Sequence, residues 1–249
     1  MTTRSTTASG ILRRSLLPVA IAAVAIGSAA SPGAATRAAT PPPPTPDPSR
    51  FSTMIDNPYL PFVPGTRMVY RERGDDGPGR VVVRVTHRTK TVQGVETVVV
   101  RDKAYSGGEL VEDTRDWYAQ DSRGNVWYFG ENTKEYENGK VVSTEGSWKA
   151  GRDGARAGIV MTARPRVGDN YYQEYAPGVA EDEATVLSLD ASVTVPYGSF
   201  DGVLKTKDFT ALEPGIVERK FYAEGVGSVL EKLVRGGTER LVLVRVVRS

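Results

Sequence analysis

The chain has 249 residues, with 32 lysines and arginines, 30 aspartates and glutamates, one histidine and no cysteine. The lack of cysteine excludes disulfides, thiolate metal sites and thiol nucleophiles, and a single histidine excludes a metal site built from several histidines. Basic residues alternate with acidic ones along the sequence, whereas nucleic-acid binding normally leaves a cluster of lysine and arginine, so we predict no nucleic-acid partner.

Residues 1–39 have the parts of an export signal. Three arginines and no acid precede an apolar run of eleven residues, Leu16 to Ile26, which small residues follow. The run is shorter than the about 20 residues that span a bilayer, so we predict a cleaved signal peptide and no transmembrane segment in the mature chain. The protein is then secreted or extracytoplasmic. The pair Arg13-Arg14 suits either the twin-arginine route or the Sec route.

Residues 40–49 form a proline-rich segment. The run from Thr40 to Ser49 contains six prolines. Consecutive prolines favour an extended polyproline helix without internal hydrogen bonds, which makes a stiff spacer. We predict a linker between the export signal and the folded domain.

Residues 50–249 show the pattern of a β domain. Short runs rich in valine, threonine and tyrosine are separated by glycine, proline, asparagine and aspartate, and no helical period persists. Asn138-Gly139 and Gly236-Gly237 are typical of tight hairpin turns. The pattern predicts an all-β antiparallel meander of about 10–12 strands.

The domain also shows signs of internal duplication. Tyr118 and Tyr222 are 104 residues apart, and Gly124 and Gly227 are 103 apart. We predict two similar halves, at about residues 58–144 and 165–249, joined by a loop at 145–164. Because so many strands cannot stay flat, the halves should form one strongly curved sheet, a half-barrel or a barrel. Its concave face would be a packed core or a cavity.

Aromatic and acidic residues concentrate in residues 116–148, at the end of the first half and the start of the loop. Aromatic rings stack on sugar C–H groups while carboxylates accept hydrogen bonds from hydroxyls, so this composition suits a glycan. Ordinary cross-strand packing of aromatic residues is the alternative. The candidate ligand-binding residues are Trp117, Trp127, Tyr128, Glu131, Trp148 and Glu174.

Carboxylates are the side chains of this composition that we consider for catalysis. A pair of carboxylates could hydrolyse a glycosidic bond without a histidine, and their separation in space decides whether they do. The one histidine, His87, lies in an alternating stretch typical of a strand. We therefore assign no catalytic residue, metal or cofactor. The carboxylates considered are Glu131, Glu135, Glu174, Glu181 and Asp182.

Several motifs resemble those of a family of exported bacterial β-rich proteins of unknown function. They are Glu145-Gly-Ser-Trp148, the Pro-x-Gly-x-Phe turn within residues 193–200, and Tyr-Ala-x-Gly-Val-Gly within residues 221–227. The resemblance spans about residues 51–235. It implies a β fold and export, and it brings no activity or catalytic residue.

The predicted role is non-catalytic, either binding of a ligand or polymer, or a structural role in the cell envelope. One alternative is a carrier that holds an apolar, lipid-like chain against the curved sheet. The other is a carboxylate-based hydrolase acting on a glycan. The corresponding partners are a glycan, a polymer or a lipid.

Overall fold

A computed structural model describes residues 40–75 and 77–248, so the predicted signal peptide lies outside the described residues. A 3-10 helix at Pro48–Arg50 precedes a sheet of 17 strands. The strands are β1 (Phe51–Ser52), β2 (Arg67–Gly74), β3 (Gly77–Val92), β4 (Val95–Ser106), β5 (Glu109–Asp121), β6 (Val126–Asn132), β7 (Glu135–Glu137), β8 (Lys140–Ser143), β9 (Trp148–Lys149), β10 (Arg156–Met161), β11 (Asn170–Tyr172), β12 (Glu174–Tyr175), β13 (Asp182–Val195), β14 (Gly198–Thr210), β15 (Val217–Ala223), β16 (Gly227–Arg235) and β17 (Arg240–Val247).

The strands form one antiparallel sheet that closes nearly into a barrel. Neighbours in sequence pair from β2 to β6 and from β13 to β17. The last strand, β17, pairs with β2, with Val247 opposite Arg67. Strand β10 joins the remaining edges, because it pairs with β6 on one side and with β12 on the other, and β11 pairs with β13.

Alternation along the strands creates the core. In β3 the side chains of Val81, Val83 and Val85 are buried, whereas Val82 is half-buried and Arg80 and Arg84 are exposed. Successive side chains of a strand point to opposite faces, so the buried valines line the inside of the curved sheet. Strands β2 and β14 alternate in a similar way, whereas β5 and β6 are buried along most of their length. The buried hydrophobic residues of these strands belong to one cluster.

The predicted fold class is confirmed, and the strand count differs in an informative way. Eleven strands have six or more residues, and the other six have two to four. The short strands escape a periodicity argument because two to four residues cannot show an alternation. The predicted loop at 145–164 contains β9 and the six-residue β10, which is the strand that closes the sheet.

Two long strands of the first half have counterparts about 103 residues later in the second half. Shifting β3 and β4 by 103 residues gives 180–195 and 198–209, close to β13 (Asp182–Val195) and β14 (Gly198–Thr210). Common descent of the two halves stays a prediction.

The proline-rich segment lies against the domain along part of its length. Pro43 and Pro46 are buried, and the Arg156 side chain donates a hydrogen bond to the Pro43 carbonyl at 3.1 Å. The Thr40 hydroxyl donates to the Glu183 carboxylate at 2.5 Å. These contacts fix the start of the described chain against β10 and β13.

Helices contribute little to the part of the chain that the structure describes. Within residues 40–75 and 77–248, no helix has the length and hydrophobicity that crossing a bilayer requires.

Candidate functional site

Four of the six predicted ligand-binding residues meet inside the sheet. The Trp148 indole donates a hydrogen bond to the Glu174 carboxylate at 2.7 Å, and its ring meets the Tyr128 ring edge to face at 5.4 Å. Glu131 of β6 lies directly opposite Trp148 of β9. All four side chains are buried, from 0% exposed for Glu174 to 7% for Trp148.

The other two predicted residues lie on the opposite face of the sheet. Trp127 precedes Tyr128 in β6 and therefore points the other way. Its indole donates to Asp121 at 3.0 Å, and its ring contacts Phe51 of β1 at 5.7 Å. Trp117 carries the Lys90 ammonium 3.8 Å from its ring centroid. The structure therefore divides the predicted set between two environments.

The inner group is rich in buried carboxyls with raised pKa values. Asp116 of β5 lies opposite Glu131 of β6 and accepts a hydrogen bond from the Tyr128 hydroxyl at 2.7 Å. Burial raises the pKa of Asp116 to about 7. Burial, followed by the charge of Asp116, holds the pKa of Glu131 well above its ordinary value. Burial and the charge of Asp182 do the same to the pKa of Glu174.

These carboxyls therefore favour their neutral form in the folded protein. A buried charge without a partner is expensive, and a proton removes that cost. The inner cluster suits packing and internal hydrogen bonding. Its glycan-binding role stays a prediction, as does hydrolysis by a pair of its acids.

A large groove with a different character lies on the opposite face. It has a volume of about 1470 Å³ and is lined by strands β2, β3, β4, β5 and β17 and by the end of β6. Seven arginines, two lysines and His87 line it, and among its described lining residues there is no aspartate or glutamate. We call this feature the basic groove.

Four arginines form a row across the strands of the basic groove. Register places Arg67 opposite Arg84, Arg84 opposite Arg101, and Arg101 opposite Arg115. Directly opposite residues of an antiparallel pair share a face, with Cβ atoms about 4.5–5.5 Å apart. Asn132 of β6 continues the row beyond Arg115. We call these four arginines the arginine row.

One acid lies at the edge of the row. Asp113 binds the Arg101 guanidinium through both carboxylate oxygens, with the Nε–Oδ1 distance at 2.7 Å, and lies 3.9 Å from the Lys103 ammonium. Burial acts to raise the pKa of Asp113, but the hydrogen bonds and charge of Arg101 outweigh it, so the pKa lies below its ordinary value. Asp113 therefore stays ionised and fixes the direction of Arg101.

The remaining arginines of the row have no such partner. In the described residues, no carboxylate makes an ion pair with Arg67, Arg84 or Arg115. Like charges directly opposite each other destabilise a sheet. The row holds three such pairs, and Asp113 neutralises the charge of Arg101 only in part, so an anion over the row would relieve the remaining repulsion.

Both aromatic rings of the basic groove are covered by cations. Lys90 lies over the Trp117 ring, and the Arg80 guanidinium lies 4.7 Å from the Tyr105 ring centroid. Burial and the charge of Lys149 lower the pKa of Lys90. The two rings make cation–π contacts with Lys90 and Arg80, so these ring faces are not open to a ligand.

The sequence prediction missed the basic groove. The expectation that lysine and arginine do not cluster is wrong in three dimensions, because the arginine row draws one residue from each of four strands. The alternation of side chains along each strand could have indicated the groove, because each arginine of the row lies on the face of the sheet opposite to the buried valines. The predicted absence of a nucleic-acid partner stays a prediction.

The described residues offer no arrangement of side chains that is typical of a metal site. Among the described residues, no three or more histidine, aspartate or glutamate side chains are arranged to hold a metal ion.

Comparisons with known proteins give distant similarities. No protein-family model and no curated protein matches the chain. A solved structure from Bacteroides fragilis, described as a proposed exported protein with a YmcC-like fold, is 14% identical with a TM-score of 0.45, covering 76% of this chain and 99% of that one. A proposed lipoprotein from Parabacteroides distasonis is 13% identical with a TM-score of 0.42, covering 76% of this chain and 98% of that one.

Proposed function

We propose that this chain is an exported, extracytoplasmic binding protein that holds an anionic ligand in the basic groove without catalysing a reaction. The observation that carries the proposal is the arginine row, four directly opposed arginines with one paired acid. Export is supported by the signal-like composition of residues 1–39.

The choice of residue supports an anion rather than a solvated surface. An exposed sheet face normally mixes charges of both signs, because opposite charges in facing positions stabilise the pairing. Arginine presents a planar fork of donors that matches carboxylate, sulfate and phosphate groups. Arg67, Arg101 and Arg115 are half-buried in the groove, and Asp113 holds the Arg101 guanidinium in place before a ligand arrives.

The geometry supports the two alternative functions less well. An apolar chain would lie against the concave face, where buried side chains such as Tyr70, Val83 and Leu243 form a continuous core. A hydrolase would need accessible acids, whereas Glu131 and Glu174 are at most 2% exposed. Both alternatives stay predictions.

A direct binding experiment tests the proposal. Titration calorimetry would compare dextran sulfate and long-chain inorganic polyphosphate with neutral dextran, at low salt. We expect the anionic probes to bind and neutral dextran not to bind. The double substitution Arg67→Gln with Arg84→Gln should weaken binding about tenfold, because two charge-assisted contacts are lost.

Arg73→Gln is the matched control. Arg73 lies on β2, as Arg67 does, and is exposed outside the basic groove. Its substitution removes one positive charge, as each change of the double variant does, and should change the affinity less than twofold. Equal binding of dextran and dextran sulfate, or equal losses in the control and the double variant, would overturn the proposal.

A further inference from the structure

We infer that the ligand of the basic groove is a linear chain of phosphate groups, lying across the strands along the arginine row. This inference rests on the proposed function and names the class of ligand. A phosphodiester-linked polymer and inorganic polyphosphate share this chemistry.

The shape of the site points to a chain rather than a single anion. Neighbouring strands lie about 4.8 Å apart, so the three intervals of the arginine row extend about 14 Å. One small anion can contact two arginines at most over that distance. The groove volume of about 1470 Å³ exceeds the range of about 300–1,000 Å³ typical of small-molecule sites. Repeated charges on one ligand match repeated charges in the row.

The depth of the arginines favours a chain over a membrane surface. The Arg101 side chain is 38% exposed and that of Lys103 is 29% exposed. Basic residues that bind a lipid surface act close to that surface, whereas Arg101 and Lys103 are partly covered within the basic groove, and Arg84 is the exposed member of the row. A narrow chain can enter the groove and reach them.

The covered rings favour recognition of backbone charge. Single-stranded nucleic acids bind proteins through bases stacked on aromatic faces as well as through phosphates. In the basic groove, Trp117 and Tyr105 already carry Lys90 and Arg80 on their faces. The site therefore offers positive charge and hydrogen-bond donors. A polymer with phosphate in its backbone supplies the negative charge and the acceptor oxygens that pair with them.

Asp113 shows how a carboxylate behaves in this site. Its two oxygens are both taken by the single fork of Arg101. A tetrahedral phosphate directs its oxygens in different directions, so one group can accept hydrogen bonds from two neighbouring guanidiniums of the row. Opposed arginines on adjacent strands are suited to that bridging.

A chain-length series tests the inference. Orthophosphate, tripolyphosphate and long-chain polyphosphate would be titrated into the protein at several salt concentrations. For four phosphate contacts, the slope of log K against log salt should be about −2.8, which is about a 50-fold loss between 50 and 200 mM salt. Affinity per molecule should rise with each increase in length. Equal affinity for orthophosphate and the long chain would overturn the inference while leaving the proposed function intact.

Two matched polymers test the chemistry. An abasic deoxyribose-phosphate oligomer and an oligonucleotide of the same length should bind within about twofold of each other, and polyglutamate of the same charge should bind at least fivefold more weakly than either. Tighter binding of the oligonucleotide would show base stacking, and equal binding of polyglutamate would show indifference to phosphate. Either result would overturn the inference.

Asp113→Asn gives a test by gain of affinity. It removes the negative charge next to the row and releases Arg101 and Lys103 for the ligand. We expect tighter polyphosphate binding and a salt slope steeper by about 1. Circular dichroism and a thermal melt would verify that the variant is folded. Weaker binding by a folded Asp113→Asn variant would contradict the inference, and failure of every anionic probe to bind would instead refute the proposed function.

Discussion

Substitution of Asp116 by asparagine should make the protein more stable at neutral pH. The Asp116 side chain is 0% exposed, and one of its oxygens accepts the Tyr128 hydroxyl while the other has no hydrogen-bond partner. Burial raises the pKa of Asp116 from 3.8 to about 7. Asparagine has a similar shape and an oxygen for Tyr128, and it cannot ionise. The substitution therefore removes the cost of the buried charge and keeps the hydrogen bond.

The sign and size of the effect follow from linkage. Because the pKa is raised in the folded state, the folded protein holds a proton that the unfolded chain has already released above pH 4. The stabilising contribution is full below pH 3.8, is lost as pH rises from about 4 to about 7, and changes little above that. A shift of about three pKa units corresponds to about 4 kcal/mol in the free energy of unfolding.

Urea denaturation of both proteins from pH 4 to pH 8, followed by tryptophan fluorescence, measures this difference. We expect the free energy of unfolding of the Asp116→Asn variant, relative to the unsubstituted protein, to rise by up to about 4 kcal/mol over that range. A constant difference between pH 4 and pH 8, or one that falls with pH, would refute the reasoning.

Asp121→Asn is a control with the opposite sign on the same strand. Burial acts to raise the pKa of Asp121, but hydrogen bonds from Asn125 and Trp127 outweigh it and lower the pKa. This stability is present above the unfolded pKa and is lost as pH falls. The variant should therefore be less stable than the unsubstituted protein at pH 7, with a difference that shrinks on acidification.

Two further substitutions test the packing. Lys220→Met leaves the buried Asp208 and Glu231 and the half-buried Glu218 without their ammonium, the nearest carboxylate being Asp208 at 3.6 Å. Urea denaturation at pH 8 should show a loss of about 3–5 kcal/mol in the free energy of unfolding that shrinks toward pH 4, and no loss at pH 8 would contradict the ion-pair role. Gly158→Ala places a Cβ 2.2 Å from the Gln173 carbonyl oxygen and should lower the free energy of unfolding by about 1–3 kcal/mol or more. The control Gly215→Ala has open space around it and should change the free energy of unfolding by less than about 0.5 kcal/mol. Equal effects of the two substitutions would show that β10 and β12 do not approach each other tightly.

The fold class could be predicted because buried residues alternate with less buried ones in several of the long strands. In β3 the buried valines at positions 81, 83 and 85 alternate with the half-buried Val82 and the exposed Arg84, and each tight turn leads into a new strand. Strand β10 could not be predicted in the same way, because its residues Ala157 to Met161 are buried on both faces of the sheet or nearly so. An apolar run without alternation does not distinguish a strand from a buried loop.

The candidate site was only partly predictable because nearness in sequence is not nearness in a sheet. Trp127 and Tyr128 are adjacent in the chain and therefore lie on opposite faces. Glu174 is distant from Trp148 in the chain, yet they share a hydrogen bond because β10 brings β12 next to β6. The alternation of side chains along β6 could have predicted that Trp127 and Tyr128 lie on opposite faces. The contact between Glu174 and Trp148 depends on the pairing of β10 with β6 and β12, which the sequence does not show.

Bulges concealed the arginine row. The turn after β2 pairs Gly74 with Gly77, and counting back from it correctly places Arg67 opposite Arg84. The same count fails between β3 and β4, because a register shift between Val85 and Thr89 moves the partner of Arg84 by two positions. A β-bulge is a local backbone feature with a weak sequence signal, so the alignment of four arginines emerges only from the folded sheet.

Net charge was the least informative property of the sequence, because the fold separates the two signs. Among the described residues, twelve aspartates and glutamates are buried, whereas one lysine is the buried basic residue. Several of those acids favour their neutral form, since burial raises their pKa values. The surface that a ligand meets is therefore more positive than the formal charge of +2 suggests. Such a surface attracts polyanions from a distance, and the arginine row then selects those whose charges repeat across the strands.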